Sequence, residues 1–372
     1  MAHVLLHIGS EKTGTTYLQH TLHANANLLR KKYGVLYPTD SLLCQQRAHH
    51  PIAAAFLSSD RCDFIAASSQ QPVAVMMDHL NRHIDRTRSD CVLLSAEHMS
   101  SRFDRAAIHE LAGYLSAHSV HVILYARRQD EMALSALSTD LCCGSRDWIP
   151  IDRISPDVRR FNPLQVVEDW QAVFGNDAVT VRSYASACRN SLTADFLRCA
   201  GLGHIDLSEF ESVGRINQRI SLYEARVLHG INQFLPTWRE AMRAGEPDAY
   251  HEANQLRRSL LAWLRSENAV SSEIALESAL TLHERTTLMQ RFAHINDRLV
   301  DTYGLEAPDF DMRFNETSTT TTDVLKPEEE CMLMAQVLRV ISQRLMHSES
   351  HESIRWGAAR KIGAWSRRLR TH

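Results

Sequence analysis

Eight consecutive residues, Gly9-Ser10-Glu11-Lys12-Thr13-Gly14-Thr15-Thr16, carry the ingredients of an anion cradle. They follow a short apolar run, His3 to Ile8, which reads as a buried strand. They precede a segment, Thr15 to Arg30, in which Tyr17, Leu18, Leu22, Leu28 and Leu29 recur at helical spacing. A strand-to-helix turn aims backbone N–H groups and the positive end of the helix at one point. Gly9 and Gly14 let the backbone approach a ligand closely. Lys12 adds a mobile charge, and Thr15 and Thr16 add hydroxyls at the helix start. The two glycines have the spacing of the triphosphate-binding loop G-x-x-x-x-G-K-[ST]. Here, however, Thr15 follows the second glycine and the lysine lies earlier, at Lys12, so it reaches a different part of the ligand.

Two further groups stand where strands end. After Val122-Ile123-Leu124-Tyr125 come Arg127 and, eight positions on, Ser135; Arg128 takes the arginine's part if the register is off by one. A guanidinium fork with a hydroxyl on the same side suits a phosphate monoester. The run Cys91 to Leu94 ends in Ser95-Ala96-Glu97-His98, which offers two general bases, Glu97 and His98. Strand alternation predicts that only one of them faces a site, with Glu97 favoured. His3 and His7, on the first strand, read as packed or exposed residues.

These groups need elements to position them. Strand patterns at His3–Ile8, Val35–Tyr37, Cys91–Leu94, Val120–Tyr125 and Ala178–Tyr184 alternate with helical patterns at 73–87, 106–117, 131–141, 163–174 and 192–200. That alternation predicts an α/β fold, a P-loop-type parallel sheet flanked by helices on both faces, over residues 1–205. Helical patterns at 222–234, 249–264 and 282–299 predict a helical region over 206–314. A Thr-rich exposed linker is expected at 315–326 and a helical C-terminal region at 327–372. Residues 354–372 read as a basic amphipathic helix, suited to an anionic membrane surface, a polyanionic acceptor, or packing on its own domain.

Composition narrows the class. The chain has 372 residues, 44% hydrophobic and 23% charged, which excludes disorder, collagen and coiled coil as an overall description. A net charge of −3 gives no global field for nucleic acid. Eight cysteines form no C-x-x-C pair and 20 histidines form no H-E-x-x-H, so neither a disulfide framework nor a metal site is expected. No leader and no membrane-spanning stretch is visible, which points to a cytoplasmic protein.

Lys12-Thr13-Gly14-Thr15-Thr16 resembles the P-K-[ST]-G-[ST]-[ST]-like loop of sulfotransferases that use 3′-phosphoadenosine 5′-phosphosulfate (PAPS), with Glu11 at the proline position as in many bacterial members. The resemblance extends over residues 1–235, through Trp170–Gly175, Val181–Tyr184, Asp195–Leu197 and the 215–221 loop. It implies that the loop, Gly9 and Thr13 included, holds the 5′-phosphosulfate, with Lys12 on the bridging oxygen and Thr15 and Thr16 on the 5′-phosphate. It implies that Arg127 and Ser135 bind the 3′-phosphate. It also implies a base, histidine or glutamate, near residues 97–98, no metal, and release of 3′,5′-adenosine bisphosphate. The acceptor, a small molecule or glycan hydroxyl or amine, is not legible. A P-loop kinase and a non-catalytic nucleotide- or glycan-binding protein are the alternatives.

Overall fold

A computed structural model describes residues 1–149, 151–214, 220–237, 240–241, 246–266 and 275–312. The 315–326 linker, the 327–372 helices with their basic segment and residues 215–219 of the expected loop lie outside the described residues. The chain forms two compact units that are interleaved in sequence rather than ordered along it. The first comprises Met1–Met132, Arg153–Gln218 and Leu288–Met312; the second draws on Ala133–Asp152 and Arg219–Thr287.

The first unit is an α/β domain on a five-stranded, all-parallel sheet. Its strands are β1 (His3–His7), β2 (Val35–Leu36), β3 (Cys91–Ser95), β4 (Ser119–Ala126) and β5 (Val179–Ser183), in the order β2-β3-β1-β4-β5. Buried parallel strands need both faces apolar. Leu5, Leu93, Ile123 and Tyr125 pack with Leu18, Leu22 and Phe196 in one core. The alternate residues Val4, Leu6, Val92, Leu94, Val122 and Leu124 are just as buried, so the opposite face is covered too.

The helices are α1 (Thr15–Ala24), α2 (Ala26–Tyr33), α3 (His50–Ala55), α4 (Val73–Thr87), α5 (His98–Arg102), α6 (Arg105–Tyr114), α7 (Gln129–Cys142), α8 (Pro163–Phe174), α9 (Tyr184–Asn190) and α10 (Leu192–Cys199). The single helix expected over 15–30 is divided at Asn25. The Asn25 amide donates to the Thr21 carbonyl and its side-chain oxygen accepts the Glu211 N–H, a local alternative to helix continuation. The pattern at 282–299 likewise forms two helices, Leu282–Arg291 and Ala293–Tyr303, which meet at the buried Phe292.

The second unit packs Leu134, Leu137 and Leu141 with Val227, Leu228 and Ile231 of helix Leu222–Asn232 and with Leu260 of helix Pro247–Ser266. A reciprocal Ser221–Glu224 capping box starts the first of these helices. Among the described residues, no helix is long and apolar enough to cross a membrane.

Candidate active site

Three strands that are neighbours in the sheet, β3, β1 and β4, carry the three candidate groups just past their carboxyl ends, where open parallel sheets bind ligands. The turn after β1 closes on itself. Buried Thr13 donates its hydroxyl to the Ser10 carbonyl at 2.6 Å, so Thr13 braces the loop. Gly9 and Gly14 have φ of +73° and +74°, and Lys12, between them, also lies in the left-handed region at +66°. Gly14 is the N-cap of α1 and supplies no side-chain acceptor to the first turn, whose N–H groups have no intrahelical carbonyl to donate to. Thr15 is buried and Thr16 half-buried at the start of α1.

A methyl group at Gly14 would meet Leu192 Cδ2 at 2.6 Å and the Tyr184 ring at 3.1 Å. Gly14→Ala is expected to destabilise the first unit by about 1–2 kcal/mol through the left-handed backbone alone. Overpacking adds roughly 1–3 kcal/mol. Denaturant unfolding with an unchanged slope measures the loss.

Arg127 leaves the end of β4 and reaches the loop. Its Nη1 donates to the Lys12 carbonyl at 2.7 Å, its Nε donates to Glu131 at 2.9 Å, and its guanidinium lies over the Tyr184 ring. The arginine that sequence spacing selects is therefore fastened to the β1–α1 loop. Arg128 is buried and held by both carboxylate oxygens of Asp130, at 3.0 and 2.8 Å, which commits it to structure. Ser135 lies further along α7, in the part of the chain that belongs to the second unit, where its carbonyl accepts the Thr139 hydroxyl.

Glu97 and His98 depart from the alternation expected of strand neighbours. β3 ends at Ser95, Glu97 has helical φ and ψ, and His98 opens α5, so successive side chains turn by a helical rather than a strand angle. Both side chains join one cluster with His50, the first residue of α3: one ligand-type atom from each lies within 4.8 Å of the others. The Glu97 carboxylate does not cap α5. Its Oε2 accepts from Gln19 Nε2 of α1 at 2.7 Å, and its Oε1 lies 4.0 Å from His50 Nε2. Glu97 Cβ also packs so close to the loop that a methyl at Gly9 would meet it at 2.8 Å.

Around this carboxylate runs a buried chain of polar contacts. Gln19 Nε2 also donates to Ser95 Oγ at 3.2 Å, and Ser95 Oγ is 2.9 Å from His7 Nδ1. Burial pushes the His7 imidazole down to about 4, against the pull of Glu97, and leaves it neutral. The His98 ring stacks on Phe64 at 3.8 Å and tilts against His50 at 4.9 Å. Its Nδ1 lies 3.9 Å from Glu11 Oε1, and Arg160 Nε pairs with the other Glu11 oxygen at 2.8 Å.

Burial, with His50 second, pushes His98 down to about 3; burial also lowers His50. For Glu97, burial works upward but is outweighed by His50, His98 and the Gln19 donor, so its carboxyl sits below the usual glutamate value. At neutral pH Glu97 is therefore a carboxylate, set beside two imidazoles whose protonation burial disfavours.

Gln19, His50, Glu11 and Arg160 were not singled out as site residues by sequence reasoning. Gln19 sits one turn into α1 on the buried side, a position that the 3.6-residue period assigns to the core face, and a polar residue there was the available signal. His50 follows His49 and precedes Pro51, where nothing in the spacing ties it to Glu97. Comparison of the chain with protein-family models, curated proteins and solved structures finds no match, so the function rests on the site itself.

Proposed function

We propose that the chain is a PAPS-dependent sulfotransferase. One observation carries the reading. The β1–α1 loop, the arginine after β4 and the carboxylate after β3 stand at adjacent strand ends, with Arg127 bonded to the loop backbone and Glu97 packed against Gly9.

In this reading Glu97 takes the proton from an acceptor hydroxyl or amine as the acceptor's oxygen or nitrogen bonds to sulfur. The bond from sulfur to the bridging phosphate oxygen breaks, and 3′,5′-adenosine bisphosphate leaves. Lys12 and the N–H groups at the start of α1, with the Thr15 and Thr16 hydroxyls, stabilise the charge that grows on the leaving phosphate. Gln19 holds Glu97 in place. Arg127 serves the 3′-phosphate. The step needs no metal. The acceptor is a small molecule or glycan. A cytoplasmic setting fits the described cysteines, all free thiols.

Calorimetry tests the reading. Binding of 3′,5′-adenosine bisphosphate without metal, tighter than ATP with Mg²⁺, is the expected result. A preference for ATP and Mg²⁺ would turn the assignment toward a kinase. Bisphosphate binding without turnover on any acceptor panel would leave a binding protein.

Arg127→Ala separates recognition of the two phosphates. Loss of a charged pair at a partly buried site costs roughly 2–5 kcal/mol. Binding of the 3′-phosphorylated nucleotide is expected to weaken by that amount. Adenosine 5′-phosphosulfate, which lacks the 3′-phosphate, should lose less, its share being the slackened Lys12 carbonyl. Equal losses in titrations of both would make Arg127 a loop brace alone.

A further inference from the structure

We infer that His50, Glu97 and His98 form a binding site for a divalent transition metal of the Zn²⁺ class. Two imidazoles and one carboxylate, with a fourth position open, are a zinc donor set. Imidazole nitrogen selects Zn²⁺, Cu²⁺ or Ni²⁺ over Mg²⁺ and Ca²⁺.

The three side chains come from two parts of the fold, α3 and the start of α5. His50 starts α3, Glu97 follows β3, and His98 starts α5. One donor atom from each lies within 4.8 Å of the other two. Ligands of a tetrahedral zinc at about 2.0–2.1 Å stand roughly 3.3 Å apart, so side-chain movement of the order of 1 Å closes the set.

Three details support a ligand at this cluster. First, Gln19 holds Glu97 Oε2 at 2.7 Å and leaves Oε1, the oxygen nearer His50, as the donor; a hydrogen bond to a ligating carboxylate is the usual outer support of a metal site. Second, each imidazole keeps a buried nitrogen without a hydrogen-bond partner among the described residues: His50 Nδ1, whose Nε2 is 4.0 Å from Glu97 Oε1, and His98 Nδ1, 3.9 Å from Glu11 Oε1. Buried polar atoms without partners call for an ion or a water. Third, the stacked Phe64 ring fixes the orientation of His98.

The site goes beyond the functional reading and does not depend on it. It also shares Glu97 with it. A metal at Oε1 occupies the oxygen that sulfuryl transfer needs as a base, so the ion acts on that reaction as an inhibitor.

The test uses the full chain, freed of metal by a chelator and then titrated with ZnCl₂ in a calorimeter and with CoCl₂ in a spectrophotometer. One equivalent of each is expected to bind. The cobalt form should show visible d–d bands without the near-ultraviolet charge-transfer band of a cobalt–thiolate bond, since eight cysteines are the competing ligands. Glu97→Gln and His50→Ala should each weaken Zn²⁺ binding by more than the roughly 10–100-fold that follows loss of a ligand's hydrogen-bond partner. Absence of stoichiometric binding, a thiolate band, or unchanged affinity in well-folded variants would overturn the site. Should a variant fail to fold, the wild-type cobalt spectrum decides alone. None of these readouts uses nucleotide or turnover, so loss of the metal site and loss of the sulfotransferase reading are separate results.

Discussion

Lys12→Ala is expected to lower turnover by about 100-fold or more while binding of 3′,5′-adenosine bisphosphate stays within a few-fold of wild type. The size follows from removing one group that stabilises charge developing in the transition state. The loop's contacts at the Lys12 and Ser10 carbonyls survive the substitution. Lys12 is already a non-glycine residue at a φ of +66°, and alanine meets the same backbone penalty there. The Lys12 group that Arg127 holds is the main-chain carbonyl, which alanine keeps. Thr13 and Ser10 still close the turn. The loop therefore retains its shape and loses a charge. Steady-state kinetics with a competent acceptor and a parallel nucleotide titration measure the two quantities. Unchanged turnover would remove Lys12 from the reaction.

The second large effect concerns the base. Glu97→Gln keeps the side chain's length and volume, yet it cannot take a proton. It also turns a hydrogen-bond acceptor into an amide facing Gln19 Nε2 and His50 Nε2, at 2.7 and 4.0 Å from the present oxygens. General-base contributions are typically 10²–10⁴-fold, and the variant is expected to lose turnover in that range with bisphosphate binding intact. His98→Asn should retain most activity, because burial keeps its ring uncharged and its contacts are the stack on Phe64 and the approach to Glu11. Rate assays at saturating donor read both. Full activity in Glu97→Gln, with loss in His98→Asn, would transfer the role to the imidazole.

The legible part of this protein was the part that apolar runs and glycines control. Val4-Leu5-Leu6, Val92-Leu93-Leu94 and Val122-Ile123-Leu124 have too few polar residues to be anything but buried, and parallel strands of that kind dictate their crossovers. Gly9 and Gly14, read from the sequence as points of close backbone approach, take left-handed conformations in the structure. Arg127 could be located because it directly follows a strand. Other features depended on contacts between distant residues. The break at Asn25 is held by Glu211, far along the chain. His50 reaches Glu97 only because α3 brings it there. The alternation rule failed for Glu97 and His98 because it was applied beyond the last strand residue, where the chain had begun to coil.

The interleaving of the two units has a consequence for synthesis. Gln129 and Asn296, in the first unit, exchange two amide hydrogen bonds at 3.0 Å. Asp309 accepts from Ser183, Ser186 and Arg189 around the end of β5. A ribosome that has finished residue 205 has delivered every strand of the sheet but neither of these partners. The remaining hundred or so residues to Met312 take roughly 5–20 s at 5–20 residues per second. Throughout that interval Gln129 and the serines and arginine beside β5 wait without their partners, and the whole of the second unit's 219–287 stretch is made before the first can be completed. A chain released early at 205 would carry its β1–α1 loop in an unfinished domain.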